Sequence, residues 1–283
     1  MQRMQLALDL HVNELFFWDD IAFGGTPFAI NRVVVLMILA SVLCIAFFLL
    51  GSRRGAIVPK GLQTMAETGY LFVRNQIAID VIGPADGPKY AGYLCTLFFF
   101  IFFGNLLEII PLVNFPVNSR MAIPALLAFL TYIIFNFIGI KKQGFRHYVG
   151  GTLFPPGVPK VIKPLLALIE LFSVFVIRPL TLAIRLLANM MAGHVLLTIF
   201  FLFSAEFVAL KPALPVGLMT ALVGSVLIVF EMLVISIQAY IFTMLTAFYI
   251  AESIHGHGEE DPTVSTEHGV PDSPIDAAAR AAA

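Results

Sequence analysis

Charge is what this sequence has least of. Asp, Glu, Lys and Arg make up 12% of its 283 residues, hydrophobic residues make up 59%, and the mean hydropathy is +0.91. A soluble domain carries about twice that share of charge, so the composition describes an integral membrane protein. A net charge of −1 gives no footing for nucleic-acid binding. Cysteine is also scarce. Cys44 and Cys95 both sit in apolar runs and read as core or lipid-facing residues, not as a disulfide or a metal pair. No G-x-x-x-x-G-K-[ST] loop and no G-x-G-x-x-G turn is present, so nothing calls for a nucleotide site, a cofactor or catalysis by the chain itself. The first twenty residues lack a signal-peptide pattern, because Asp9, His11, Asn13 and Glu14 interrupt them. Residues 1–29 are expected to form an external or interfacial segment.

What is there is mostly long apolar runs. The expected fold is an all-α membrane protein with helices over about 30–50, 90–112, 121–140, 164–210 and 214–251, the last two forming a long, strongly tilted hairpin. About 20 residues at 1.5 Å each cross the roughly 30 Å hydrocarbon core, which suits the first three. The amphipathic stretch 61–80, with Glu67, Arg74 and Asp80, is too polar to span and is expected to lie along the surface. Residues 141–163 hold glycines and prolines and read as a loop. Residues 253–283 are polar and acidic and read as a disordered tail.

Orientation follows from the basic residues. One side holds Arg53, Arg54 and Lys60, then Lys141, Lys142, Arg146, Lys160 and Lys163; the other holds Arg120 and Lys211. The N-terminus is therefore expected outside and the C-terminus in the cytoplasm, with the chain multi-pass in the plasma membrane.

The last two runs do not fit upright crossings. A continuous helix over 165–210 would be roughly 69 Å long, and one over 214–251 roughly 57 Å. A turn exposed to lipid would strand backbone polar groups. Two very long, tilted helices follow, and a tilt beyond the usual range asks for a large, curved partner surface.

These helices carry ionisable groups that lipid does not tolerate without a reason. At 100° per residue, Arg178 and Asn189 share the face of Arg185, while His194 is turned about 180° away. On the second helix Glu231, Gln238, Leu245 and Glu252 recur every seven residues as one stripe. A lone buried carboxylate must be paired or line water, and His194 is the nearest partner in kind for Glu231. Such a pair can take up and release protons near neutral pH. Glu108 and Glu170 are further carboxylates in apolar runs. Asn105 and Asn136 suit helix packing.

The segments "LAIRLLANMMAGH" and "ISIQAYIFTMLTAFYIAESIH" resemble the two signature helices of subunit a of the F-type ATP synthase, and "GNLLEIIPL" and "FNFIGIKKQG" resemble its second and third crossings. The resemblance covers roughly residues 25–255. It implies the stationary, proton-translocating half of a membrane channel, packed against a rotating ring of c-subunit proteolipids that each carry a membrane carboxylate. It also implies the subunit b peripheral stalk, the lipid bilayer and protons as partners. Arg185 matches the family's essential arginine, Gln238 its facing glutamine and Asn189 the asparagine one turn on. His194 and Glu231 match a Glu/His pair in the half-channel, in the order of the mitochondrial proteins. Glu108 falls at a position often acidic in the family, and Glu170 lies one residue off another. The proton path implied is thus His194, Glu231, Gln238, Asn189, Glu108, Glu170 and Glu252. The tail is longer than the bacterial ends of the family. The alternative, a secondary transporter binding an anionic substrate at Arg185, calls for repeats with matched broken helices, and the two halves of this chain are unlike.

Overall fold

A computed structural model describes residues 32–53, 59–110, 117–153, 162–209 and 213–255. The expected N-terminal segment 1–29 lies outside the described residues, as does 256–283 of the expected tail 253–283; residues 253–255 are helical and extend the last helix to His255. The described chain is helical, with no strand among the described residues. The principal helices are α1 (Arg32–Ser52), α2 (Leu62–Phe72), α3 (Gly87–Leu106), α4 (Ala122–Gln143), α5 (Phe145–Leu153), α6 (Lys163–Phe172), α7 (Arg178–Ala209) and α8 (Leu214–His255). Five stretches are long and apolar enough to cross a membrane: Val33–Ser52, Gly87–Leu106, Ala122–Gln143, Lys163–Ala209 and Leu214–His255. The ends differ from the sequence expectation by a few residues, most at α3, which stops at Leu106, short of 112.

Lys163–Ala209 is one helical run with a fault in its ladder. A π-turn, Ser173–Ile177, joins α6 to α7. Pro179 lies just beyond it and cannot donate to the carbonyl four residues back, which weakens the α-pattern at this place. The run of 47 residues is about 70 Å long and α8, with 42, about 63 Å. They pack as an antiparallel hairpin. Near its turn the buried Ser204 hydroxyl donates to the Gly217 carbonyl at 3.1 Å. At the far end Gln143 of α4 donates to the carbonyls of Ser253 and Ile254, at 2.8 and 3.3 Å, and so caps orphan acceptors of α8.

Two expectations are corrected. The segment after α2 does more than lie on a surface. It continues through a π-turn, Val73–Ile79, and buries Val73, Ile77, Ala78 and Ile82 in a cluster with Leu94, Phe99 and Ile250. Its polar residues line the opposite face, so its apolar stripe is free to join the core. The 141–163 loop contains α5, held because Tyr148 is buried against Gly139 and donates to Asn136 Oδ1 at 3.1 Å. A side chain at Gly139 would collide with the Tyr148 ring. Tertiary packing here overrides the weak helix propensity of a Gly-containing stretch.

A second apolar cluster ties the hairpin to the earlier helices through Leu97, Ile101, Ala128, Leu182, Leu186 and Phe242. The outer faces stay apolar and open. Val229 of α8 is 72% exposed and Leu49 of α1 is 64% exposed, which fits lipid or partner helices and not water.

Candidate functional site

The polar residues of the hairpin sort into three groups. The first is Arg185. It sits in the apolar middle of the Lys163–Ala209 run, its side chain is exposed, and it forms no ion pair with any described carboxylate. One turn on, Asn189 faces Gln238 of α8, Nδ2 to Oε1 3.4 Å. Gln238 is buried, and its Nε2 has no hydrogen-bond partner among the described residues.

The second group lies on the other face of α7. His194 is 3% exposed, and its Nδ1 is 3.4 Å from Glu108 Oε1. Glu108 sits in the turn after α3 and is 1% exposed. The expected partner of His194 was Glu231; the structure brings Glu108 to the imidazole instead. Glu231 is 4% exposed and its carboxylate lies directly against Gly193, the residue before His194. A methyl group on Gly193 would overlap both carboxylate oxygens, so the glycine provides the seat for Glu231. Glu108 and Glu231 thus both meet one turn of α7, Glu108 at His194 and Glu231 at Gly193.

Two asparagines extend this cluster. Asn118, in the short 3-10 turn Val117–Ser119, donates to Asn105 Oδ1 at 2.6 Å, and both are fully buried. Asn105 Nδ2, Asn118 Oδ1, both Glu108 oxygens and Glu231 Oε1 have no hydrogen-bond partner among the described residues. Buried polar atoms are ordinarily satisfied, by ordered water where no protein group serves. This cluster can therefore hold water against titratable groups.

The third group is at the other end of α7. Arg178 pairs with both carboxylate oxygens of Glu252: Nη1 with Oε2, and Nη2 with Oε1 at 2.8 Å. The same Nη2 reaches Glu170 Oε1 at 3.3 Å, and the Tyr249 ring centroid is 5.5 Å from the guanidinium carbon. Eight regular helical steps would turn Glu170 about 80° from Arg178. The π-turn takes up one residue, leaving seven effective steps and about 20°. Glu170 and Glu252, expected on the proton path, are both committed to Arg178. Ser225 and Ser236 bond to carbonyls of their own helix at 2.9 Å.

Sequence reasoning gave no role to Gly193 or Asn118. A glycine directly before the buried histidine was a legible signal. Asn118, in a turn between two spans, carried none.

The helices that bring these groups together are those that known proteins share. The ATP synthase A chain family matches residues 34–251. The chain is 42% identical over 251 residues to "ATP synthase subunit a" of Frankia alni, covering 88% of this chain and 86% of the relative. It is 40% identical over 242 residues to "ATP synthase subunit a" of Rhodococcus erythropolis, covering 85% and 88%. A protein of the same name from Gluconacetobacter diazotrophicus is 39% identical over 236 residues, covering 81% and 90%. The matched region runs from the start of α1 almost to the end of α8 and takes in the polar groups described above apart from Glu252, which it stops one residue short of: the chain belongs to the ATP synthase A chain family.

Proposed function

We propose that this chain is the stationary proton-translocating subunit of the ATP synthase membrane sector, forming two half-channels against a rotating ring of carboxylate-bearing proteolipids. The observation that carries the reading is Arg185, an exposed arginine without a carboxylate partner among the described residues, set in the middle of an apolar hairpin. A charge so placed is functional by default. Arg185 lowers the proton affinity of each ring carboxylate that passes it, because a nearby cation favours the anion. It also repels protons, so they do not pass directly from one half-channel to the other. Asn189 and Gln238 flank it on the two helices.

The outer half-channel uses Glu108, His194 and Glu231, with Asn105 and Asn118 as water-holding amides. An imidazole can both accept and donate a proton, and carboxylates beside it can pass one on through water, as a relay requires. A ring carboxylate protonated here travels nearly a full turn facing lipid before releasing its proton to the inside. Each charge moved supplies about 2.3 kcal/mol per 100 mV, delivered as torque. ATP chemistry takes place on other subunits. The two helices, over twice the roughly 30 Å hydrocarbon thickness, lie tilted along the curved ring. The N-terminus is outside, the C-terminus cytoplasmic, and a peripheral stalk of subunit b holds the chain still.

The test is Arg185→Ala in the assembled complex. Inverted membrane vesicles should keep the complex and lose ATP-driven proton pumping. Pumping at the parental rate would refute the reading.

A further inference from the structure

Two arginines occupy one stripe of α7, and nothing so far explains why the second is there. Arg178 precedes Arg185 by seven residues, which turns it only about 20° away and places it roughly 10 Å along the axis. Its surroundings are specific. It is held by both oxygens of Glu252, by Glu170 from across the π-turn and by the face of Tyr249. Tyr249 is one turn before Glu252 on α8, and its ring faces the Arg178 guanidinium. Of the two carboxylates that α8 carries, Glu231 and Glu252, Glu252 is the one at this end of the hairpin. The level of Arg185 itself is set by the contacts on either side. Arg178 meets Glu252, and Asn189 meets Gln238. Between those two contacts the facing stripe of α8 offers Leu245 and no carboxylate.

A carboxylate left unneutralised in a low-dielectric site seeks the nearest cation, since breaking a buried pair leaves a costly lone charge. Without Arg178, that cation on the same stripe is Arg185. We propose that Arg178 is a positioning residue that saturates Glu252 and so keeps Arg185 from being captured by its own subunit. Bidentate pairing holds Glu252 at the internal end, and Glu170 draws the guanidinium further from Arg185. The π-turn brings Glu170 round to the stripe and so belongs to the same device. Arg185 then remains unpaired for a moving partner. This inference rests on the reading of Arg185 as the ring-facing cation.

The test uses the assembled synthase in inverted membrane vesicles and reads complex content, ATP-driven proton pumping and passive leak. Arg178→Met removes the charge and keeps most of the volume. It should lose most pumping. Arg178→Lys should retain pumping, because a cation still neutralises Glu252. Glu252→Gln alone should pump, and Arg178→Met combined with Glu252→Gln should recover pumping, since Glu252 no longer draws Arg185 away and Glu170 stands roughly 20 Å along the helix from Arg185. A role limited to packing predicts no recovery in the double variant. The inference is overturned if the double variant pumps no better than Arg178→Met, if Arg178→Met pumps as the parent does, or if Glu252→Gln alone abolishes pumping. Should Arg178→Met fail to assemble, the double variant still decides: pumping supports the inference and its absence overturns it. Pumping by Arg185→Ala would remove the reading of Arg185 and this inference with it. An inactive Arg185→Ala beside an unrescued double variant removes this inference alone.

Discussion

Arg178 and Arg185 stand on the same face of the same helix, two turns apart, and the fold treats them in opposite ways. Arg178 is surrounded by two carboxylates and an aromatic face. Arg185 is left exposed with no described carboxylate in pairing distance. A membrane arginine that is only structural resembles the first, neutralised within its own chain. One that acts on another molecule must resemble the second. The carboxylates show the same split. Glu252 is engaged through both oxygens, whereas Glu108 and Glu231 keep oxygens with no hydrogen-bond partner among the described residues. Saturation marks a structural role, and unmet hydrogen-bonding capacity marks a working one.

The contrast can be broken from either side. The largest effect expected is complete loss of ATP-driven pumping in Arg185→Ala with the complex intact, read as vesicle acidification. Next is Arg178→Met, with recovery on adding Glu252→Gln, as described above. Third is Gly193→Ala. The added methyl displaces the Glu231 carboxylate from its seat, and small misplacements of proton-transfer groups cost roughly tenfold to a hundredfold. The proton flux through the membrane sector, with the catalytic sector removed, should fall accordingly; an unchanged flux would take Glu231 off the path. Asn118→Leu should follow, with a smaller loss in the same assay, because it deletes the 2.6 Å bond to Asn105 and one polar atom of the cluster.

The smallest effect concerns a pair outside the site. Asp86 accepts from Lys89 at 2.5 Å and from Lys142 at 2.9 and 3.0 Å, and so links the start of α3 to the end of α4. Hydrogen bonds from these two ammonium groups hold its carboxyl below the ordinary aspartate value, which is about 3.9. The folded pKa lies below the unfolded one, so the stabilisation is complete above the ordinary value and is lost as pH falls through the folded one. Asp86→Asn should lower thermal stability slightly at neutral pH, by no more than about 1 kcal/mol as for other exposed pairs. The difference from the parent should close in acid. A gap that widened in acid would contradict the assignment.

Much of this architecture was legible in the sequence because hydropathy and helical phase are local properties. The five spanning stretches, the unusual length of the last two, and the opposition of Arg185 and His194 follow from composition and 100° per residue. The partner of His194 did not follow. Glu231 and Glu108 are both buried acids, and nothing local ranks one over the other. Glu108 reaches the imidazole because α3 packs on α8 and the turn Val117–Ser119 packs on α7, which brings the stretch after α3 beside His194, a contact between distant parts of the chain. The helix α5 was missed for a related reason: its glycines argue for a loop, while the burial of Tyr148 is decided by α4.

The sequence by itself determined the class of protein, its helices, and the charged groups that apolar helices would have to carry. These are set residue by residue, by transfer free energy and by the backbone's need to satisfy its own hydrogen bonds. Which of those groups would be neutralised and which left unpaired was decided by the tertiary structure. A π-turn turned Glu170 toward Arg178, a glycine admitted Glu231 beside His194, and the pairing of α7 with α8 placed a leucine and not a glutamate at the level of Arg185. Pairing depends on distance across the fold, and distance across the fold is not a local property of the chain.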